Sequence, residues 1–531
     1  MKSPTLSSKS GLFLLGFLTI LLRYPITPTP VGTDNFYYIS MTKTVLFNGQ
    51  ITWAENLTSF YGLFPGTTPL GTTILASVIT LLTGFSIFEY ILIHSIFLSL
   101  ISVFGFFMLT GELTSNFRSR WFATLCFSFA PRFLTFSLWQ ISLRFSFIAL
   151  LPFFIWLLLR LSHSKYGRYP GRIFFLLLLL GLILPSLHRM ALLFPGILLA
   201  FLMSVLGYYW QEGATNRERA GRQVLGFLLF LSIYFFYLQY LDFSPYSPDD
   251  ELIGIYFFSG NGIFSAILNL IVYYMINVGP FLFISILGII FWFQEGRVSQ
   301  GYFFSMAYLG LSFFVISDII YIPYLVTFGI LLLVVPGMDF FIDNLEDHPN
   351  RLGVLFSVFT ILVTSFSYYD LDYRVNAHER EEVYYSYHVR ESSISASQWM
   401  GDNLESSILE SNDQKRERRL AAYSNMLSMD DAGELSSGLI SLKDMEIERI
   451  SVNEMYWKSE DHLWTWNNSS VFSSSIQNNI SLSAVNLGMP YSVGSSSTVS
   501  IISSPYYEYM PNFTYRIYSN SELALYWTLD Y

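Results

Sequence analysis

The chain has 531 residues, a net charge of −10, mean hydropathy +0.44, 18% aromatic residues and only 13% charged residues. Soluble globular proteins carry about 25% charged residues, so this composition excludes an ordinary soluble enzyme and indicates a membrane protein. The acid excess and the lack of a basic stripe exclude a nucleic-acid binder, and one cysteine, Cys126 inside an apolar run, excludes a disulfide framework or a cysteine-based metal site.

The run from Leu12 to Leu22 has signal-peptide proportions but ends in Arg23-Tyr24-Pro25 with no small-residue cleavage site, which predicts an uncleaved first helix. Lys2 and Lys9 keep its start in the cytoplasm. A span needs about 20 mostly apolar residues. Strong candidates lie at 11–27, 88–110, 121–138, 144–161, 173–187, 190–210, 224–241, 280–294, 302–317, 319–336 and 352–368. Two further apolar stretches, 69–84 and 263–279, suit either spans or interfacial helices.

Charge resolves the choice. Basic residues collect at Arg118 and Arg120; at Arg160, Lys165, Arg168 and Arg172; at Arg217, Arg219 and Arg222; at Arg297; and at Arg351. With both weak stretches left out, all these connections fall on the side of Lys2 and Lys9; counting 69–84 alone as a span inverts every later one. The expectation is an α-helical polytopic membrane domain, residues 1–370, with about eleven spans, N-terminus in and C-terminus out. Glycosylation sequons at Asn56, Asn467, Asn468, Asn479 and Asn512 all lie outside in this arrangement. It leaves outer loops at 28–87 and 242–279 and an extracytoplasmic domain over 371–531.

That last domain turns to Ser, Tyr, Asn, Glu and Arg with short alternating apolar patterns. The patterns predict a helix near 394–404, a strand at 406–410, a basic helix over 415–427 and then short strands: a small α/β domain. Its Trp457, Trp464, Trp466, Tyr506, Tyr507 and Tyr509 suit core packing or a sugar-stacking face. His378, His388 and His462 lack metal-ligand spacing, and no nucleophile–base pair stands out, so the domain is expected to bind rather than catalyse.

Chemistry concentrates in the first outer loop, which opens with "GTDNFYY" at 32–38 and predicts a short surface helix through Leu46. Asp34 stands at its start, where a carboxylate or the Thr33 hydroxyl caps the backbone N–H groups; spacing alone favours the cap. Asn48-Gly49-Gln50 and "YGLFPGTTPLGTT" at 61–73 follow. At the outer ends of later spans lie Arg132, Arg144 and the pair His188-Arg189, against the positive-inside trend. Each either snorkels to the headgroups or binds an anion. Glu89 opens the second span; Asp318 suits a helix cap; Asp249, Asp250 and Glu251 suit a solvated loop.

The ordered set Asp34, Tyr37 or Tyr38, Asn48-Gly49-Gln50 and Tyr61 through Pro65 and Pro69 resembles the first outer loop of GT-C membrane glycosyltransferases. That superfamily includes protein O-mannosyltransferases, lipid A aminoarabinose transferases and the catalytic subunit of oligosaccharyltransferase. The resemblance implies that Asp34 orients or deprotonates an acceptor while a polyprenyl phosphate leaves the sugar's anomeric carbon with inversion. It implies a lipid-linked phosphate, for which Arg132, Arg144, His188 and Arg189 are the candidate ligands, with Tyr37, Tyr38 and Glu89 as candidate contacts to donor or acceptor, and a protein or glycan acceptor. The chain departs from the family at Asn35, where many members carry a second acid, and over Pro131–Arg144, which holds no acid. No WWDYG motif occurs. These departures count against en bloc oligosaccharide transfer and against a divalent metal, the cofactor that the resemblance leaves open, since such a site needs several oxygen ligands. The departures also keep a rival reading in play: a non-catalytic GT-C-like scaffold or glycan-binding surface-assembly protein. A transporter fits less well, because the charges sit at helix ends and no internal repeat is visible.

Overall fold

A computed structural model describes residues 8–48 apart from 26, 28 and 33; 71–162; 170–212; 263–295; 300–314; and 321–376 apart from 346. In the last third it describes 389, 391–403, 407–411, 419, 422–424, 427–428, 448–453, 498–502, 514–519 and 524–528. The expected span 224–241, Asp318, Asp249–Glu251, the stretch 49–70, all the sequons, and the tail aromatics and histidines named above lie outside the described residues.

In chain order the helices are α1 (Ser8–Arg23), α2 (Asp34–Asn48), α3 (Gly71–Thr83), α4 (Ile87–Thr110), α5 (Phe117–Phe129), α6 (Pro131–Phe136), α7 (Leu143–Ser162) and α8 (Pro170–Leu187). After a 3₁₀ turn at Arg189–Leu193 come α9 (Phe194–Glu212), α10 (Ile263–Val278), α11 (Leu282–Glu295), α12 (Gln300–Phe314), α13 (Ile322–Leu345), α14 (Pro349–Asn376) and α15 (Glu391–Asn403). Among the described residues five helices are long and apolar enough to cross a membrane, and α10 with α11, bent by 108°, make a sixth if taken as one span. The bend falls at Gly279, whose φ of +86° suits glycine.

The chain forms two compact units. The first comprises Met1–Ile26, Thr67–Thr72 and Leu92–Arg374. Its core is aromatic: the Phe106 and Phe127 rings stack at 4.3 Å, and Phe328 meets both edge-on. Two helices approach backbone to backbone, since a Cβ on Gly288 of α11 would strike the Leu333 carbonyl, and one on Gly337 of α13 the Ile284 carbonyl. Small residues permit such contact where no water drives association. The Ser285 hydroxyl seals it, donating to the Ile330 carbonyl at 2.7 Å.

One expected span is corrected. Residues 121–138 do not run as one helix: Ala130 (ψ 123°) leaves helical geometry, and Pro131 opens α6 as a separate piece. The proline ring disfavours a helical residue before it and accepts the first helical position itself. Conversely, α13 runs to Leu345, past the expected end at 336. It carries Asp339, only 4% exposed, whose carboxylate accepts from the hydroxyls of Ser119, Thr114 (3.3 Å) and Tyr302 (3.0 Å). Arg23, 1% exposed, is satisfied in the same spirit. Its Nε donates to the hydroxyls of Ser99 (2.9 Å) and Ser137 (3.1 Å). Nη1 reaches the Thr19 carbonyl and the Ser128 hydroxyl, and Nη2 the Ser128 carbonyl at 2.8 Å.

The second unit comprises Thr27–Gly66, Thr73–Ile91 and Val375–Tyr531. It holds a six-stranded mixed sheet of β1 (Ser407–Ser411), β2 (Leu427–Ser428), β3 (Glu448–Asn453), β4 (Thr498–Ile502), β5 (Thr514–Ser519) and β6 (Ala524–Thr528), in the order β2-β1-β3-β4-β6-β5. The first four of these are mutually parallel, and β6 is antiparallel to both β4 and β5. Leu409, Ile450, Val499 and Trp527 stand in register across β1, β3, β4 and β6.

Within this unit α2 is fixed by residues far along the chain. The Lys43 ammonium donates to the Ala422 carbonyl, and the Tyr423 ring lies 6.2 Å from Phe36 and stacks on Phe88 at 5.0 Å. The Arg419 guanidinium, itself buried, lies 6.0 Å from the Phe36 ring. Burial lowers the Lys43 amine to about 8, because a charged ammonium loses hydration there.

Candidate functional site

Four expected basic residues come together in the first unit, and they do so on aromatic rings. Arg132 is the second residue of α6, Arg144 the second of α7, and His188-Arg189 form the corner between α8 and the 3₁₀ turn. The floor between them comes from Tyr321 and Tyr324, at the start of α13, and from Phe136, at the end of α6. The Arg132 guanidinium lies 4.1 Å from the Tyr324 ring centre. That of Arg144 lies 5.4 Å from Phe136 and 5.7 Å from Tyr321. Arg189 lies 5.0 Å from the Tyr321 ring, and its Nε donates to the Tyr321 hydroxyl. The His188 ring meets Tyr321 edge-on at 4.9 Å, and Phe136 packs on Tyr324 at 5.6 Å. One continuous patch thus links all four.

Its electrostatics are unbalanced. Arg132 and Arg189 are half-buried, and neither pairs with a carboxylate among the described residues. Arg132 Nε is buried with no hydrogen-bond partner there. An aromatic face offers a partly desolvated cation about 0.5–2 kcal/mol, less than the several kcal/mol that full burial of an ion costs. Snorkelling predicts guanidinium groups splayed into headgroups; these instead lie within 4.1–5.7 Å of the Tyr321, Tyr324 and Phe136 ring centres. His188 is buried and its Nδ1 accepts the Met190 N–H at 3.0 Å, which leaves Nε2–H as the donor of a neutral ring. The guanidinium groups of Arg144 and Arg189 both act on it electrostatically.

The other expected residues lie in the second unit. Gly32, at φ +90°, makes the turn that delivers the chain into α2 with Asp34 as its first residue. Only a residue without Cβ adopts that angle at no cost. Asp34 is half-buried, and a carboxylate in the first helical turn faces the positive end of the helix dipole. Asn35 beside it is fully buried. Tyr38 is half-buried in the same helix; the side chain of Tyr37 lies outside the described ones. Glu89 is exposed and already occupied: its carboxylate accepts the Ser86 N–H at 2.8 Å while the Ser86 hydroxyl accepts the Glu89 N–H at 3.2 Å. That is a capping box for α4, and the S-x-x-E spacing announced it. Among the described residues no three His, Cys, Asp or Glu side chains gather as a metal site, so those present do not fit a divalent ion.

Tyr321, Tyr324 and Phe136 are the residues that sequence reasoning missed, because aromatics at helix ends are ordinary in membrane proteins. The available signal was "YIPY" at 321–324, two tyrosines flanking a helix-opening proline.

No family model matches the sequence, and no curated protein sequence does. Solved structures do match in fold. An archaeal oligosaccharyltransferase, AglB from Archaeoglobus fulgidus, solved with an inhibitory peptide and a dolichol-phosphate, aligns at TM-score 0.59 and 12% identity over 93% of this chain and 69% of its own. ArnT from Cupriavidus metallidurans, bound to undecaprenyl phosphate, aligns at TM-score 0.54 and 12% identity over 98% of this chain and 97% of its own. A further AglB structure, complexed with Zn and sulfate, aligns at TM-score 0.56 and 13% identity. Both proteins are GT-C glycosyltransferases, and at these identities the likeness is one of fold.

Proposed function

We propose that the chain is a multi-pass membrane glycosyltransferase that moves a sugar from a polyprenyl-phosphate carrier to a protein or glycan acceptor on the outer face of the membrane. The observation that carries this is the ring-mounted cation cluster. Arg132 and Arg189 are kept partly out of water with no carboxylate paired to them among the described residues, an arrangement suited to a ligand that brings its own negative charge. A phosphate at the membrane boundary supplies it. As the glycosidic bond breaks, charge builds on the leaving phosphate oxygens, and cations already in place stabilise it without reorganising. His188 adds a neutral N–H donor beside them. The fold shared with two enzymes solved with polyprenyl phosphates supports the same reading.

In this reading Asp34 is the general base on the acceptor and the sugar inverts at its anomeric carbon, while Tyr38 and Tyr37 flank the acceptor. The topology has about eleven spans, with the N-terminus inside and residues 371–531 outside, where the sequons would carry glycans. The decisive comparison is surface glycans by mass spectrometry, together with the polyprenyl-linked pool, in wild-type cells and an Asp34→Ala strain with equal protein levels. Loss of a glycan with build-up of its lipid-linked precursor is the expected result. Unchanged glycans and lipids would sink the catalytic role and favour a scaffold of the same fold.

A further inference from the structure

Arg23 is the most deeply buried cation described, and no part of the proposed chemistry uses it. It closes α1, no acidic side chain among the described residues pairs with it, and all its partners are neutral oxygens. Those oxygens are not scattered. Ser128 sits two residues before the break at Ala130, and Ser137 caps the far end of α6. One planar guanidinium therefore holds both ends of the kinked corner 128–137, with Ser99 of α4 as its third anchor. A fork of fixed donors suits this task; a point-charge ammonium does not.

The corner between those two serines is α6, and α6 carries Arg132. Six residues are too few for a helix to hold itself, so the direction of Arg132 depends on what pins the ends. The distal end has a second pin: the Gln140 amide donates to the Thr135 carbonyl, and the Gln140 carbonyl accepts from Ser95 of α4 at 3.0 Å. At the proximal end, the Thr19 and Ser128 hydroxyls also meet at 3.1 Å, so α1 touches the corner through two side chains.

We propose that Arg23 is a positioning residue: a buried guanidinium, held by neutral oxygens, that staples the Ser128–Ser137 corner and so fixes Arg132 on the Tyr324 ring for phosphate binding. The inference rests on the phosphate reading of the cluster for its function, and on the corner's hydrogen bonds for its geometry. The two are testable apart, using the full chain in lipid nanodiscs. A spin label is placed at the corner through Arg132→Cys in a Cys126→Ser background, and its mobility is read with and without Arg23→Met. Farnesyl phosphate affinity is read in parallel for Arg23→Met, Arg132→Gln, Arg189→Gln and the two double variants.

The expected result is a more mobile label and an affinity for farnesyl phosphate lower by on the order of tenfold, a size typical of coupled neighbours. That loss should vanish on an Arg132→Gln background and persist on an Arg189→Gln background. Full additivity with Arg132→Gln would reveal general loosening and overturn the proposal, as would an unchanged label. A mobile label with Arg132→Gln silent towards farnesyl phosphate would instead overturn the phosphate reading. Should Arg23→Met fail to fold, Ser137→Ala takes its place, removing one of the two acceptors of Nε while keeping the charge satisfied by the rest.

Discussion

The two ends of α13 treat charge in opposite ways. Near its end, Asp339 is buried and fully answered by three hydroxyls, from α5, α12 and the turn before α5. Tyr321 and Tyr324, about 25 Å away at its start by helical rise, carry cations with no carboxylate paired to Arg132 or Arg189 among the described residues. Hydrogen bonds to a charged group contribute about 1.5–3 kcal/mol each, so the Asp339 end is complete as it stands. Cations on rings leave most of that energy unclaimed. The difference separates a structural polar cluster from one shaped for a ligand, and Arg23 belongs with Asp339 by this criterion despite having the sign of the other group.

Two substitutions set the ends against each other. Replacing Arg189 by Gln should lower transfer from a lipid-linked donor by about 10²–10³, the loss seen when a preorganised charge stabiliser is removed. Its unfolding temperature should change little, since only one hydrogen bond and one ring contact to Tyr321 are lost with the half-buried charge; a clear fall in stability with intact turnover would dissolve the contrast. Replacing Asp339 by Ala should do the converse. The buried hydroxyls of Ser119 and Tyr302 lose their acceptor, at about 1–3 kcal/mol apiece before relaxation, as does the half-buried Thr114, while turnover per folded molecule stays near wild type. Thermal unfolding in detergent and single-turnover transfer on the folded fraction separate the two effects.

The smallest effect tests the second unit, where burial holds Lys43 near 8 against 10.5 in the unfolded chain. Between these values the unfolded state binds more protons than the folded one, so this residue's contribution makes stability rise with pH through that window. Below about 8 both states are protonated and the full burial penalty applies; above 10.5 it is gone. Subtracting the pH profile of Lys43→Met from wild type should leave this rise, at most about 3 kcal/mol across the window. A flat difference would mean that water reaches the ammonium.

Much of this was legible in the sequence, residue by residue. Arg132, Arg144 and His188-Arg189 stood out because cations at those helix ends run against the usual charge bias, and the fold brings all four to one patch. Their ring partners did not stand out, because tyrosine at a helix end is common for reasons unrelated to cations. The break at Ala130-Pro131 was written in the proline, yet hydropathy alone joined 121–138 into one run, since an apolar average ignores backbone geometry. The same averaging stopped α13 at 336, because Asp339 reads as an ending unless its hydroxyl partners are known. Those partners come from elements more than thirty residues away in sequence. Glu89 is the reverse case: the local S-x-x-E pattern carried its role, and the wider resemblance obscured it.

The glycine contact between α11 and α13 has a mechanical meaning for the ring floor. With Gly288 and Gly337 in backbone contact and Ser285 bonded to Ile330, neither helix has clearance to rotate or slide on the other. Tyr321 and Tyr324 stand at the head of that locked pair, so the floor behaves as a fixed anvil. With α6 stapled at both ends, whatever movement lets a lipid-borne phosphate in and out falls to the first turn of α7 and the His188-Arg189 corner.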